Sequence, residues 1–442
     1  MDLSQFGRHL RSRSLSAWRS KLDSETTNCR SGGHVGLSSV GAAMTVCNEV
    51  RSTITLDQVD AESWDIVVIG AGLAGALCAR QAAAQGCRVL LVDRAVFPRW
   101  KVCGCCLNGA AVDVLARSGL GDLVTDCQAI PLSGLHISSG RRSASFKHNH
   151  GVVVSRERLD SALIQAAIDA GAEFLDRVNA QVQPIDQRQF IIELKGSATQ
   201  VSVTAPIVIA AAGLGGRIFS DHRSEHREVS TSSRVGTGAV LEECPPEIEP
   251  GVIYMNCHAS GYVGLVRLED DRLDIAAALD VQAIKRARGP AELVSEILQQ
   301  SALPATASIR SASWHGTPML TQRRARVAEN GCLFVGDAAG YVEPFTGEGM
   351  AWALAGGNAA AALAVQAIES GDTVTVAEQW RQHHREMIVR RSRTCKAISL
   401  GLRYPIIPQL SVRVLSVFPW LAQPFIRSMN APFELKTIAE PA

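Results

Sequence analysis

The stretch WDIVVIGAGLAGALCARQAAAQGCRVLLVDR (Trp64–Arg94) constrains the fold more than any other part of the 442-residue chain. Ile66–Ile69 is a continuous apolar run of strand length, Ala74–Ala84 is alanine-rich and helical, and Gly86 ends that helix. Arg88–Val92 then reads as a second buried strand. Strand, glycine turn, helix and strand in this order specify a βαβ unit with parallel strands. Gly70, Gly72 and Gly75 fit G-x-G-x-x-G between the first strand and the helix. The first glycine permits the tight turn, the second lets the backbone approach a pyrophosphate, and the third lets helix and strand pack closely. The helix N-terminus offers unpaired N–H groups to phosphates. Asp93, at the end of the second strand with Arg94 beside it, stands where an acid holds the ribose hydroxyls of a dinucleotide.

A distant segment turns the dinucleotide reading toward a flavin. GCLFVGDAAGYVEPFTGEGMAWALAGGNAAA (Gly331–Ala361) is a buried strand ending at Gly336 and Asp337, then a Gly/Pro-rich loop, then an alanine-rich helix. An acid at a strand's C-terminal end accepts hydrogen bonds from a polyol. The loop through Pro344, Gly347 and Gly349 leads into a helix N-terminus able to stabilise negative charge on a reduced flavin.

Elsewhere the periodicity predicts strands at Val152–Ser155, Gln189–Leu194, Val201–Val203, Ile207–Ala211, Gly261–Arg267 and Leu273–Ala278. It predicts helices at Leu159–Ala170, Pro290–Gln299 and Gly349–Ala367. The expected fold class is α/β: a Rossmann-like FAD-binding domain interleaved with a mainly antiparallel-sheet substrate domain, followed by a helical C-terminal region. The expected divisions are a discontinuous FAD-binding domain at 64–225 and 323–370, with 125–155 contributing to the substrate side, and a β-rich substrate domain at 226–322. The C-terminal region, 371–442, is read as helices broken by Pro405, Pro408, Pro419, Pro424 and Pro432. Residues 1–63, rich in Ser, Arg and Thr, read as a mostly unpacked extension. Its first 22 residues carry five Arg/Lys and one acid, so a basic amphipathic anchor or targeting segment is the alternative.

GDAAGYVEPFTGEG resembles the second flavin-binding motif of the large FAD oxidoreductase superfamily, which includes aromatic hydroxylases, flavin halogenases and geranylgeranyl reductases. FPRWKVCGCCLNGAAVDVLARSGL (Phe97–Leu120) resembles the geranylgeranyl-reductase branch, whose members carry FPR.K.CG after the first βαβ unit. VSRERLDSALIQAAIDAGAEF (Val154–Phe174), with Arg156 ahead of Leu159-Asp160 and a helix, also fits. The resemblance extends from about Ile66 to Ala367. It implies that Lys101, Cys103, Gly104 and Arg156 lie at the flavin, with Cys103 as the candidate catalytic residue. Two positions depart from the family pattern. Its Cys-Gly-Gly is Cys103-Gly104-Cys105 here, and its Asp-Gly after the central strand is Ala212-Gly213. No second strand–GxGxxG–helix unit provides for resident NAD(P)H, so the electron donor is expected to be transient NAD(P)H or reduced ferredoxin.

The composition excludes other classes. Net charge is +1 and charged residues make up 20%, so nucleic acid is not an expected partner. In the basic run Trp380–Arg393, adjacent His383 and His384 project in different directions, which suits a solvated face better than chelation. Twelve scattered cysteines behind no secretory signal read as reduced thiols of a cytoplasmic protein. Cys103, Cys105 and Cys106 lack both a fourth ligand and a paired cluster, so no metal is expected. No run of 18 apolar residues suggests a spanning helix. The apolar stretch Leu400–Asn430, interspersed with Arg403, Arg413 and Arg427, reads as either a helical cap or a lid in peripheral contact with a membrane. Alternation at Tyr262, Gly264, Val266 and Leu268 suggests a pocket-lining strand face.

The leading functional expectation is an FAD-dependent reductase or dehydrogenase of a bulky apolar substrate, isoprenoid- or polyketide-like, acting by hydride transfer from flavin N5. An FAD-dependent monooxygenase of the aromatic-hydroxylase type and a non-catalytic flavin electron-transfer protein stay open. The oligomeric state is not legible in the sequence.

Overall fold

The computed structural model describes residues 49–59, 64–183, 189–220, 227–301, 308–343, 345, 347–404 and 406–433. Pro344, Pro405 and residues 1–48 and 60–63 lie outside these, so the expectations placed on them are not addressed.

The chain is an α/β protein built on two large sheets. The first has six strands in the order Ala328–Glu329, Cys332–Phe334, Ile207–Ala210, Ile66–Ile69, Val89–Val92, Glu173–Leu175. All pair in parallel except the short Ala328–Glu329 edge. The central strands are wholly buried, as continuous apolar runs between helices must be. The helix Leu73–Ala83 returns the chain from Ile69 to Val89, making the βαβ unit. Helix Gly349–Ser370 lies directly on it: a Cβ added to Gly357 would meet the carbonyl oxygen of Ala74 at 2.2 Å, so only glycine allows this backbone approach. Gly349–Ser370 is long and apolar enough to cross a membrane, but most of its residues are buried in the protein core.

The second sheet has seven strands in the order His315–Met319, Val235–Leu241, Leu273–Leu279, Gly261–Arg267, Val252–His258, Gly134–Ser139, Arg142–Lys147. It is antiparallel apart from the pairing of Val252–His258 with Gly134–Ser139. One face packs against helices Val281–Ala287 and Pro290–Gln299 through Ile275, Leu279, Val294 and Ile297. Each such side chain contributes about 1.5–3 kcal/mol on burial. The other face is left for the cavity described below.

Of the N-terminal extension only residues 49–59 are described, and there Val50 is buried and bridges to Phe97, while Thr53 and Ser52 accept hydrogen bonds from the Phe174 and Asp176 N–H groups. The structure corrects two expectations. Pro408 does not break a helix; it sits in the first turn of Ile406–Val417, where its missing N–H has no helical acceptor to lose. The Trp380–Arg393 run is not a wholly solvated face. Trp380 is fully buried with its Nε1 donating to the Phe334 carbonyl, and His384, Met387 and Ile388 are buried beside it.

Candidate functional site

The Gly70–Gly75 turn adopts the geometry its spacing demands. Gly70 has φ +107°, and a Cβ at Gly75 would meet the Gly70 oxygen at 1.9 Å. Gly72 is the N-cap of helix Leu73–Ala83 and no side chain caps it, so the first-turn N–H groups remain available. Helix Gly349–Ser370 likewise begins without a side-chain cap. Both N-termini reach one cavity of about 740 Å³, lined at this end by Gly72, Lys101, Cys103, Gly104, Arg156, Gly336, Asp337, Gly347 and Gly349.

The structure therefore gathers these nine expected site residues around a single space. Gly70 and Gly75 shape the turn behind it. Asp93 lies outside the lining; its carboxylate accepts hydrogen bonds from the Ala71 and Ala95 N–H groups at 2.7 and 2.8 Å. Arg94 is exposed and away from the cavity. Asp337 accepts from Lys101 Nζ at 3.3 Å in a half-buried pair, an interaction contributing less than about 1 kcal/mol and readily exchanged for a ligand. Arg156 is buried and bidentate to Asp160, with Nε–Oδ1 2.9 Å and Nη2–Oδ2 2.8 Å.

The three thiols of Cys103, Cys105 and Cys106 do different things. Cys103 lines the cavity with its Sγ 3.7 Å from the Met350 sulfur. A hydrogen bond from the Cys105 thiol, and then the charge of Arg156, pull the Cys103 thiol down to about 5. Cys105 is buried at φ +51°, the backbone region that favours glycine, and burial helps hold its thiol protonated once Cys103 has claimed the shared proton bond. Cys106 begins strand Cys106–Asn108, and burial pushes its thiol up. Among the described residues, no group of three or more His, Cys, Asp or Glu side chains is arranged to hold a metal ion.

The rest of the cavity is mostly apolar. Tyr262, Gly264 and Val266 line it from one strand, and Ala276, Ala278 and Asp274 from the next. C-terminal helices close it through Ile407, Val412, Leu415, Phe425 and Met429. Loop and sheet are tied together by Arg234, fully buried, which donates to Glu343 at 2.9 Å.

Sequence reasoning missed Asp274, Arg99 and Met350. Arg99 lies 3.6 Å from where a Gly72 side chain would begin and pairs with Asp160 at 3.6 Å. Its signal was present in the FPRWK segment. Asp274 could have been found as the one acid within the apolar strand LDIAAAL.

The family model described as FAD binding domain matches residues 63–373. The chain belongs to this family. It is an FAD-dependent oxidoreductase. It is 27% identical over 324 residues to digeranylgeranylglycerophospholipid reductase 2 of Methanosphaera stadtmanae, covering 70% of this chain and 79% of that protein. It is 27% identical over 366 residues to menaquinone reductase of Mycobacterium tuberculosis, covering 78% and 85%. Among solved structures, a geranylgeranyl bacteriochlorophyll reductase-like protein of Thermoplasma acidophilum superposes with a TM-score of 0.67 at 18% identity, covering 83% of this chain and 98% of that one. The flavin-dependent brominase Bmp2 gives 0.67 at 17%, covering 83% and 93%. At these identities the structural likenesses establish the shared fold. The residues present fit FAD: two uncapped helix N-termini, a glycine turn open at Gly72 and the Asp337 carboxylate meet at one cavity.

Proposed function

We propose that this flavoprotein saturates carbon–carbon double bonds of a bulky, isoprenoid-type apolar substrate. The observation that carries this reading is the shared cavity: the residues suited to hold FAD and a long apolar wall of sheet and C-terminal helices line the same space. Bound FAD supplies two-electron chemistry at its flavin ring. The chain supplies position and exclusion of water. The helix N-termini at Gly72 and Glu348 hold phosphate and ring-edge negative charge, and Gly72 and Gly104 let the backbone come close. Cys103, an anionic thiol beside Arg156, sets the charge at the reacting end. Gly264, Ala276 and Ala278 leave width for a branched chain, and the C-terminal helices keep it dry.

The names of the two reductase relatives support a prenylated lipid or quinone as the substrate class. Helix Ile406–Val417 supports delivery from a bilayer. Ile407, Val412 and Leu415 line the cavity, while Ile406, Leu410, Val417 and nearby Phe418 and Trp420 are exposed, Ile406 at 74% and Trp420 at 66%. An exposed apolar face with Arg413 beside it suits an anionic membrane surface. The electron donor is proposed to be a transiently bound reductant, NAD(P)H or ferredoxin. The test is product analysis: FAD-loaded protein, reductant and menaquinone in detergent should yield quinone whose tail has gained two hydrogens per reduced bond. Gain of oxygen instead would favour the monooxygenase reading.

A further inference from the structure

We propose that Asp274 is the acid that gives the substrate its proton when the double bond is reduced, a role that rests on the reductase reading above. Alternation along Leu273–Leu279 turns Asp274, Ala276 and Ala278 to the cavity, whereas Ile275 and Leu279 pack against the helices behind. Asp274 is 1% exposed. Its cross-strand neighbours are Val240 and Val266, and Val266 belongs to the small apolar cluster beneath the cysteine loop.

Neither carboxyl oxygen of Asp274 makes a hydrogen bond of ordinary geometry. Buried carboxylates are normally paired or hydrogen-bonded, and one without a partner neutralises. The titratable groups facing it are Cys103, Cys105 and Cys106 from the loop, Glu157 from helix Arg156–Asp169, and Arg272 from the turn just ahead of its own strand. Burial first, then the negative charges of Cys103 and Glu157, push its carboxyl well above the usual range. The Cys105 thiol and Arg272 pull the other way without offsetting them. Arg272 is already engaged by Glu157 and Asp270. The cavity wall thus holds a buried carboxyl without a hydrogen-bond partner, biased by its surroundings toward the protonated form, and the polar side chains that share this lining include Tyr262, Tyr341, Arg156 and His148.

The step balances. One alkene carbon receives the hydride, with its electron pair, from the bound reduced flavin, which is thereby oxidised. The adjacent carbon receives the proton: the Asp274 O–H bond breaks and a C–H bond forms. Asp274 is left as a carboxylate and recovers its proton from water admitted when product leaves.

The experiment compares wild type, Asp274→Asn and Asp274→Glu. Infrared difference spectra of the cofactor-free proteins read the carboxyl directly: wild type at neutral pH should show a protonated-carboxyl band that Asp274→Asn lacks. With FAD bound and menaquinone as probe, Asp274→Asn should lose about 10²–10⁴-fold in the rate of tail reduction while keeping its FAD. Asp274→Glu, which keeps an acid, should recover part of that loss and separates a lost proton from a misfolded variant. The wild-type rate should fall as pH rises through the elevated Asp274 pKa. Absence of the infrared band, or wild-type turnover by Asp274→Asn, overturns the assignment and leaves the reductase reading standing. An FAD-loaded wild type that reduces no prenyl quinone overturns the reductase reading and the catalytic role with it, even where the band is present.

Discussion

Replacing Gly72 by alanine separates what the fold needs from what the cofactor needs. Gly72 has φ −77° and ψ −175°, a conformation any residue adopts. A Cβ there would meet only the Arg99 Nη2 at 3.6 Å, an ordinary contact. Alanine is a poorer N-cap than glycine, which costs the cofactor-free protein about 1 kcal/mol. With FAD bound, the added methyl stands where a phosphate approaches the helix N-terminus. Overpacking of that kind costs about 1–3 kcal/mol, an about 5-fold to 150-fold weaker Kd. Gly75→Ala is the contrast, because its Cβ would stand 1.9 Å from the Gly70 oxygen and the turn itself must break. The assay is a thermal melt without FAD beside a flavin-fluorescence titration. Gly72→Ala melting like wild type but binding FAD more weakly is the expected result. Equal FAD affinity in Gly72→Ala would refute the placement of the pyrophosphate at this turn.

Three other outcomes are expected. Cys103 should alkylate at a rate that holds from neutral pH down to about pH 5, and Cys105→Ala should move that midpoint upward by removing the main hydrogen bond to the thiolate. Because folding depresses this thiol, its contribution to stability is present above the ordinary thiol pKa and is lost as pH falls toward about 5; Cys103→Ser should remove that pH-dependent part of the stability as well as lowering turnover. Arg234→Ala should destabilise by about 3–5 kcal/mol in denaturant titration, since it leaves the buried Glu343 to the more distant Arg403, 3.9 Å away; Glu343→Ala in the same background should restore part of the loss. Co-sedimentation with anionic vesicles should fall sharply in Ile406→Glu/Trp420→Glu, with FAD content unchanged.

The βαβ unit was legible because each of its parts is local. Strand burial, glycine spacing and helix composition at Trp64–Arg94 agree with one another, and the parallel register follows from them. The second sheet was only half legible. Gly261–Arg267 and Leu273–Leu279 announce themselves by apolar alternation, but Arg142–Lys147 buries only Ala144 and Phe146 among polar residues. Val235–Leu241 is disguised by Gly236 and Gly238. The reason for Gly238 is non-local: an added Cβ would stand 2.8 Å from the Ile275 carbonyl oxygen of the neighbouring strand and 3.3 Å from Val102 of the cysteine loop. Asp93 and Asp337 illustrate a different limit. Sequence placed both at strand ends, but not that the turn's own N–H groups would engage one and Lys101 the other. The cysteine loop reads as a cluster in sequence and diverges in space, because the left-handed Cys105 turns its thiol inward while Cys103 faces the cavity.

On the proposed reductase reading, electrons should pass from the bound flavin to the double bond of an apolar substrate without oxygen. The direct measurement is a single turnover under strict anaerobiosis: FAD-loaded protein is chemically reduced, freed of reductant, and mixed with menaquinone in detergent. Flavin absorbance should return at a rate set by the quinone, and mass spectrometry should show one tail double bond saturated per flavin oxidised. A flavin that stays reduced until air is admitted, or a flavin oxidised with the tail intact, would contradict the account.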